Sequence, residues 1–158
     1  MNVNFYEKLW MWFAAAIIVV FITFVGITTF AYGVRPPSHI ETVDPTQVMS
    51  DPRFAQQGVT PNPDGSVTAT MVAGTFFWLP SPVTVPAATP VHFRLTSMDV
   101  THGFEIVGTN VNTMVVPGYV SQLTYTFPAP GEYLIVCNEY CGTGHHTMGG
   151  KIVVEARP

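Results

Sequence analysis

Two patterns of hydrophobic and polar positions divide the chain. From Leu9 to Val34 no residue is charged and most are apolar, in the run LWMWFAAAIIVVFITFVGITTFAYGV. As a helix rising 1.5 Å per residue, this run would reach about 39 Å, more than the roughly 30 Å hydrocarbon core of a bilayer. A secretory signal has a shorter apolar core and a small-residue cleavage site. Segment 1–34 is therefore predicted to hold one retained transmembrane helix. Phe5, Tyr6, Trp10 and Trp12 at one end, and Phe30 and Tyr32 at the other, are placed as interfacial belts. Lys8 and Arg35 flank the run almost evenly, so charge leaves its orientation open.

Residues 35–65 lose the apolar run and become rich in Pro, Asp and Gln. They are predicted as an irregular linker with a short helix near Pro45–Met49. Over 66–158 the period falls to two, in short segments separated by prolines. Val67–Met71, Val83–Val85, Val91–Thr96, Phe104–Val107, Leu123–Phe127, Tyr133–Val136 and Ile152–Val154 read as strands. Seven or more such strands in about ninety residues predict an all-β, antiparallel Greek-key sandwich or barrel.

Composition adds two exclusions. Hydrophobic residues make up 47% of the chain and charged residues 10%, with the excess concentrated in the N-terminal run. Beyond Val34, five Lys/Arg face nine Asp/Glu, a net charge of -4, which excludes a nucleic-acid binder. Only two cysteines are present, so no disulfide framework supports the domain.

Both cysteines fall in one turn-rich loop between the last two predicted strands: Cys137-Asn-Glu139-Tyr-Cys141-Gly-Thr-Gly-His145-His146-Thr-Met148. A disulfide at C-x3-C spacing would close a very small ring and stabilise little. Thiolate, imidazole and thioether together select copper, and zinc gains nothing from the thioether. His102, at the start of a strand, is a further imidazole. A mononuclear blue-copper site needs two His, one Cys and a weak Met, which leaves one cysteine over. Two thiolates four residues apart can instead bridge two coppers, each with one terminal histidine. His39, His92 and His146, and Met49, Met71, Met98 and Met114, are read as packing or surface residues.

The run C-N-E-Y-C-G-T-G-H-H-T-M, with D-V-T-H-G-F upstream, resembles the copper-bearing subunit II of the haem–copper cytochrome c oxidases. The resemblance spans about residues 5–155, and the single helix and short length look like the B-family branch of prokaryotic oxidases. It implies a cupredoxin fold with a binuclear CuA centre on the periplasmic side of the cytoplasmic membrane. By this likeness Cys137 and Cys141 bridge two coppers and His102 and His145 are terminal ligands. Met148 binds one copper weakly, and the backbone carbonyl of Glu139 serves the other. Asp99 matches an acid that orients a ligand, and the Glu139 carboxylate matches one that reaches Mg or Mn at the interface with subunit I.

The resemblance further implies a haem-bearing subunit I as partner, a small additional membrane subunit, and a cytochrome c or cupredoxin as electron donor. Oxygen reduction and proton translocation would belong to subunit I. C-x-x-C-H is absent, so the donor is a separate carrier. An aromatic run near the copper pole is where electrons enter in the family, and Gly74–Pro80 stands at about that place. Trp78 is expected there as a partly exposed contact, with Phe76 beside it. A freestanding membrane-anchored cupredoxin shuttle or copper carrier is the alternative. The copper domain of a nitrous oxide reductase has a similar motif, but an anchor directly before the domain speaks against it.

Overall fold

The computed structural model describes residues 4–31 and 41–156. They fall in two compact units, divided after residue 39. In the first unit, α1 runs Phe5–Ala31 over 27 residues, about 40 Å at 1.5 Å per residue. Asn4 starts it: its Oδ1 accepts from the Glu7 amide at 2.9 Å, filling one of the free N-terminal donors. The helix is apolar all round and long enough to cross a bilayer. Two of its threonine hydroxyls donate within the helix, Thr23 to the Val19 carbonyl at 2.8 Å and Thr28 to that of Val25 at 2.9 Å. Neither needs a partner that lipid cannot supply. The helix thus begins one turn before Leu9. Tyr32, Gly33, Val34, the Arg35-Pro36-Pro37 joint and His39 lie outside the described residues.

Among its described residues the second unit is a β-sandwich of ten strands. In chain order they are β1 (Gly58–Pro61), β2 (Val67–Gly74), β3 (Phe77–Leu79), β4 (Val83–Pro86), β5 (Pro90–Ser97), β6 (His102–Ile106), β7 (Asn112–Val115), β8 (Ser121–Thr126), β9 (Gly131–Val136) and β10 (Gly149–Glu155). One sheet has the order β1-β2-β5-β8, with β3 also paired to β2, and the other is β4-β10-β9-β6-β7. Phe93, Phe104, Phe127, Met71, Leu95, Ile106, Ile135 and Ile152 fill the space between them. Alternation is plain on β4, where Val83 and Val85 are buried and Thr84 is exposed, as a half-buried strand demands.

Three expectations are corrected. The sandwich is not wholly antiparallel: β2 pairs β5 in parallel, as does β4 with β10. Period-two alternation reports which face is buried and carries nothing about strand direction. β1, β3 and β7 were not foreseen, because each has only three or four residues, too few for a period to show.

The third correction concerns the linker, whose described part is packed onto the domain. Thr42 bridges Tyr119, and the Val43 amide donates to the Gly118 carbonyl at 3.1 Å while that of Val120 donates to the Glu41 carbonyl at 2.8 Å. Val43, Val48 and Phe54 form a second apolar cluster with Val72 and Val120. The expected helix is a single 3-10 turn, Val48–Ser50. This layer explains β2, whose Met71, Val72 and Ala73 are all buried: the core takes one face and residues 43–54 the other, so alternation disappears.

If residues 41–65 are integral to the domain, emptying their main anchor must destabilise all of it. Phe54→Ala removes a fully buried ring and should cost about 3–5 kcal/mol in denaturant unfolding followed on the β-domain. A loss below about 0.5 kcal/mol, the range of surface substitutions, would return the segment to a linker.

Candidate metal centre

Loop 137–148 connects β9 to β10, and its ends are closed by the pairing of those strands. Gly149 lies opposite Val136, and the Cys137 amide donates to the Met148 carbonyl at 3.3 Å. The first and last donor residues therefore sit side by side. Between them His145–Thr147 forms a 3-10 turn, which sends the His145 ring back towards Cys141. His102 arrives from β6, which pairs β9 through Glu105 and Val136.

The donor atoms converge. Cys137 Sγ and Cys141 Sγ are 3.8 Å apart, far beyond the roughly 2.05 Å of a disulfide, and both thiols are free. His102 Nδ1 lies 3.9 Å from Cys137 Sγ, and the Glu139 carbonyl oxygen 3.2 Å from the same sulfur. His145 Nδ1 lies 3.6 Å from Cys141 Sγ, and Met148 Sδ 3.7 Å from it. Each sulfur has one imidazole and one weaker donor beside it. His102, Cys137 and Cys141 are buried, with ligand atoms all within 4.8 Å of one another.

Surroundings fix the imidazoles. His102 Nε2–H donates to Asp99 Oδ1 at 2.8 Å, which turns Nδ1 towards the sulfur. Asp99 also accepts from the Thr75 hydroxyl and amide. Burial raises its pKa, but the Thr75 hydroxyl, the His102 N–H and the Val100 amide outweigh that and hold it at about 2. The carboxylate stays charged at neutral pH. Burial, reinforced by the neighbouring Cys137 thiol, pushes Cys141 up to about 11, so the metal-free site holds this thiol protonated.

Of the two aromatic residues expected where electrons enter, Trp78 differs from expectation. It is 3% exposed, a core residue, whereas Phe77 is 42% exposed. Phe77–Leu79 is a true strand and Trp78 points to the interior, packing edge-on against His102 and Phe104 with ring centroids 6.2 and 5.2 Å away. Its Nε1–H has no partner among the described residues, so Trp78 acts on the ligand ring by packing. Phe76 is half-buried and lies over the metal loop: a Cβ on Gly144 would be 2.4 Å from its ring.

Among the described residues, the other histidines and methionines stand apart from this cluster. His92 Nδ1 is 2.7 Å from Thr124 Oγ1, Met71 is core, Met49, Met98 and Met114 are exposed, and so is His146. Three contributors were missed by sequence: Thr75, Gly103 and Asn138. Gly103 had a signal, since a glycine beside a candidate ligand invites a close approach. A Cβ there would lie 1.8 Å from Asn138 Oδ1.

Two thiols, two imidazoles, a thioether and a carbonyl converge at one end of a β-sandwich, a donor set that could hold a soft metal and that favours copper. The fold is cupredoxin-like: the periplasmic domain of subunit II of cytochrome oxidase from Bradyrhizobium japonicum superposes with a TM-score of 0.53 at 19% identity, over 56% of this chain and 83% of that one. Cytochrome c oxidase subunit 2 of Thermus thermophilus is 44% identical over 154 residues, 95% of this chain and 92% of the relative. A haem–copper terminal oxidase dimer solved by cryo-EM contains a chain that matches with a TM-score of 0.67 at 30% identity, covering 94% of this chain and 99% of that one. Residues 69–157 match the family described as cytochrome c oxidase subunit II, periplasmic domain. The chain belongs to the cytochrome c oxidase subunit II family, subunits of a haem–copper oxidoreductase.

The high Cys141 pKa has a consequence for metal uptake. A thiol must lose its proton to ligate, so copper binding by the metal-free chain at pH 7 should release protons. Apparent affinity should rise about tenfold per pH unit for each proton released. Chelator competition between pH 6 and 8 measures this; an affinity independent of pH would mean that binding displaces no thiol proton, and that neither cysteine ligates as expected.

Proposed function

We propose that this chain is the subunit through which electrons enter a membrane-bound terminal oxidase, and that Cys137 and Cys141 bridge two copper ions. The observation that carries this reading is the division of the donors between the sulfurs. His102 and the Glu139 carbonyl stand at Cys137, and His145 and Met148 at Cys141. A single copper of the blue type, with two His, one Cys and a Met, would leave one thiol and the carbonyl unused; two coppers use the whole set. When bound, the pair would supply a one-electron site with its charge shared over both ions.

The chain's own residues hold that site still. His102 is fully buried and Cys137, Cys141 and Met148 nearly so, which keeps water, and its reorientation on electron transfer, away from the sulfurs. Asp99 and Trp78 keep His102 in one orientation, and Phe76 covers the loop glycines. A frame that moves little keeps the energetic cost of each transfer small.

In this reading α1 is a single-pass anchor in the cytoplasmic membrane, with the copper domain on its periplasmic side. Dioxygen reduction and proton translocation belong to a haem-bearing subunit I, accompanied by a small further membrane subunit. Between Leu9 and Ala31 the helix has no acidic, basic or histidine side chain that could carry protons. The Glu139 carboxylate, left free by its carbonyl, would reach Mg or Mn at the interface with subunit I, since oxygen ligands suit such ions.

The donor, a cytochrome c or a cupredoxin, would dock on apolar surface. Phe77, Met98 and Val100 are exposed on two segments joined by Thr75–Asp99 hydrogen bonds and by the Met98 amide to the Ala73 carbonyl at 3.1 Å. Few charges are available to steer, and screening acts within about 8 Å at physiological salt.

In the assembled oxidase, Phe77→Ala should slow electron transfer from the native donor severalfold while copper content is kept, and the rate should vary little with ionic strength. Glu139→Gln should strip interfacial Mn and leave the copper spectrum intact. Copurification with a haem-bearing subunit is required throughout. A chain isolated alone from native membranes would favour a freestanding shuttle; a steep loss of rate with salt, with Phe77→Ala silent, would assign docking to charge.

A further inference from the structure

Asn138 stands between a bridging cysteine and the residue whose carbonyl completes the site, yet its side chain faces away from both sulfurs. Its Nδ2 donates to Glu105 Oε2 at 3.0 Å on β6 and to Asn112 Oδ1 at 3.2 Å on β7. The two contacts lie 33 and 26 residues away in sequence. A carboxylate can only accept, so the nitrogen must face Glu105 and the orientation of the amide is chemically determined. The remaining oxygen turns onto Gly103, where a Cβ would be 1.8 Å from Asn138 Oδ1 and 2.9 Å from the Glu139 amide nitrogen. The Asn138 amide in turn donates to the Gly103 carbonyl at 3.4 Å. Gly103 is the neighbour of His102.

We propose that Asn138 is a positioning residue of the metal centre: its side chain latches the loop carrying Cys137 and the Glu139 carbonyl to the strand that begins at His102. The proposal rests on the copper-binding reading above. Both Nδ2 protons are used, one on an anionic acceptor, and hydrogen bonds to charged groups are the stronger class. β9 ends at Val136, and beyond it the backbone tie to β6 is the long Asn138 amide bond to the Gly103 carbonyl. The side-chain latch reinforces the pairing where it thins out. It fixes the distance from the Glu139 carbonyl to Cys137, and it ties the His102 segment to the Cys137 segment. An exposed asparagine that merely decorated the surface would not require glycine beneath it.

The test uses the full-length chain in detergent, loaded with copper and titrated with a chelator of known affinity. Asn138→Ala should raise the dissociation constant about tenfold, within the range seen when groups supporting metal ligands are removed, and should shift the copper absorption bands. Thermal melting of the metal-free chain should be unchanged, which a general loss of structure would not allow. Asn138→Asp should be at least as damaging, since it sets two carboxylates together. Combining it with Glu105→Gln rebuilds the pair with donor and acceptor exchanged and should recover most of the affinity and the native bands. Glu105→Ala, which leaves the loop sequence intact, should weaken copper in the same direction by a smaller factor.

Wild-type affinity and spectrum in Asn138→Ala, an unchanged affinity in Glu105→Ala, or a double variant no better than Asn138→Asp would each overturn the latch. A wild-type count of one copper per chain would overturn the binuclear reading alone, because the ratio of affinities is measured either way.

Discussion

Two reduced sulfurs held 3.8 Å apart and nearly buried are the constraint around which this domain is arranged. Nothing draws two free thiols together, and they would separate if the loop were free. The closed base of the β9–β10 hairpin prevents separation, and the 3-10 turn at His145–Thr147 sets the return path. β6 delivers His102 by pairing with β9, and Asp99 selects the ring nitrogen that faces the sulfur. Phe76 and Trp78 pack around those groups, and Gly103 lets the loop approach closely.

The same economy governs the domain's edge. Residues 43–54 lie over Val72 and supply a second apolar layer on the outer face of one sheet. Glu41 is bound there by Arg53 at 2.8 Å and Arg94 at 2.6 Å. These groups are partly exposed and each pair is worth little by itself; the buried Phe54 and the backbone bonds to Gly118 and Val120 do most of the fastening. Chain that composition alone would label as tether becomes part of the sandwich.

What the sequence disclosed follows from the range of the forces involved. The candidate donors were legible because Cys137, Cys141, His145 and Met148 lie within twelve consecutive residues and their chemistry is soft. The helix was legible because 26 uncharged residues have few other uses. Strand direction was not, since β2 and β5 pair in parallel through a crossover that no local pattern records. Trp78 was misjudged because its neighbours suggested an interface, whereas the alternation of a three-residue strand turned Phe77 to water and Trp78 to His102. Thr75 and Asn138 act through partners 24 and 33 residues away, and one sequence contains no sign of such pairings.

The account turns on whether the divided donor set binds a copper pair or a single ion. Electron paramagnetic resonance on the copper-loaded full-length chain, with copper counted on the same sample, tests it most directly. The account predicts two coppers per chain and one unpaired electron coupled equally to both nuclei. One copper, with hyperfine splitting from a single nucleus, would contradict it.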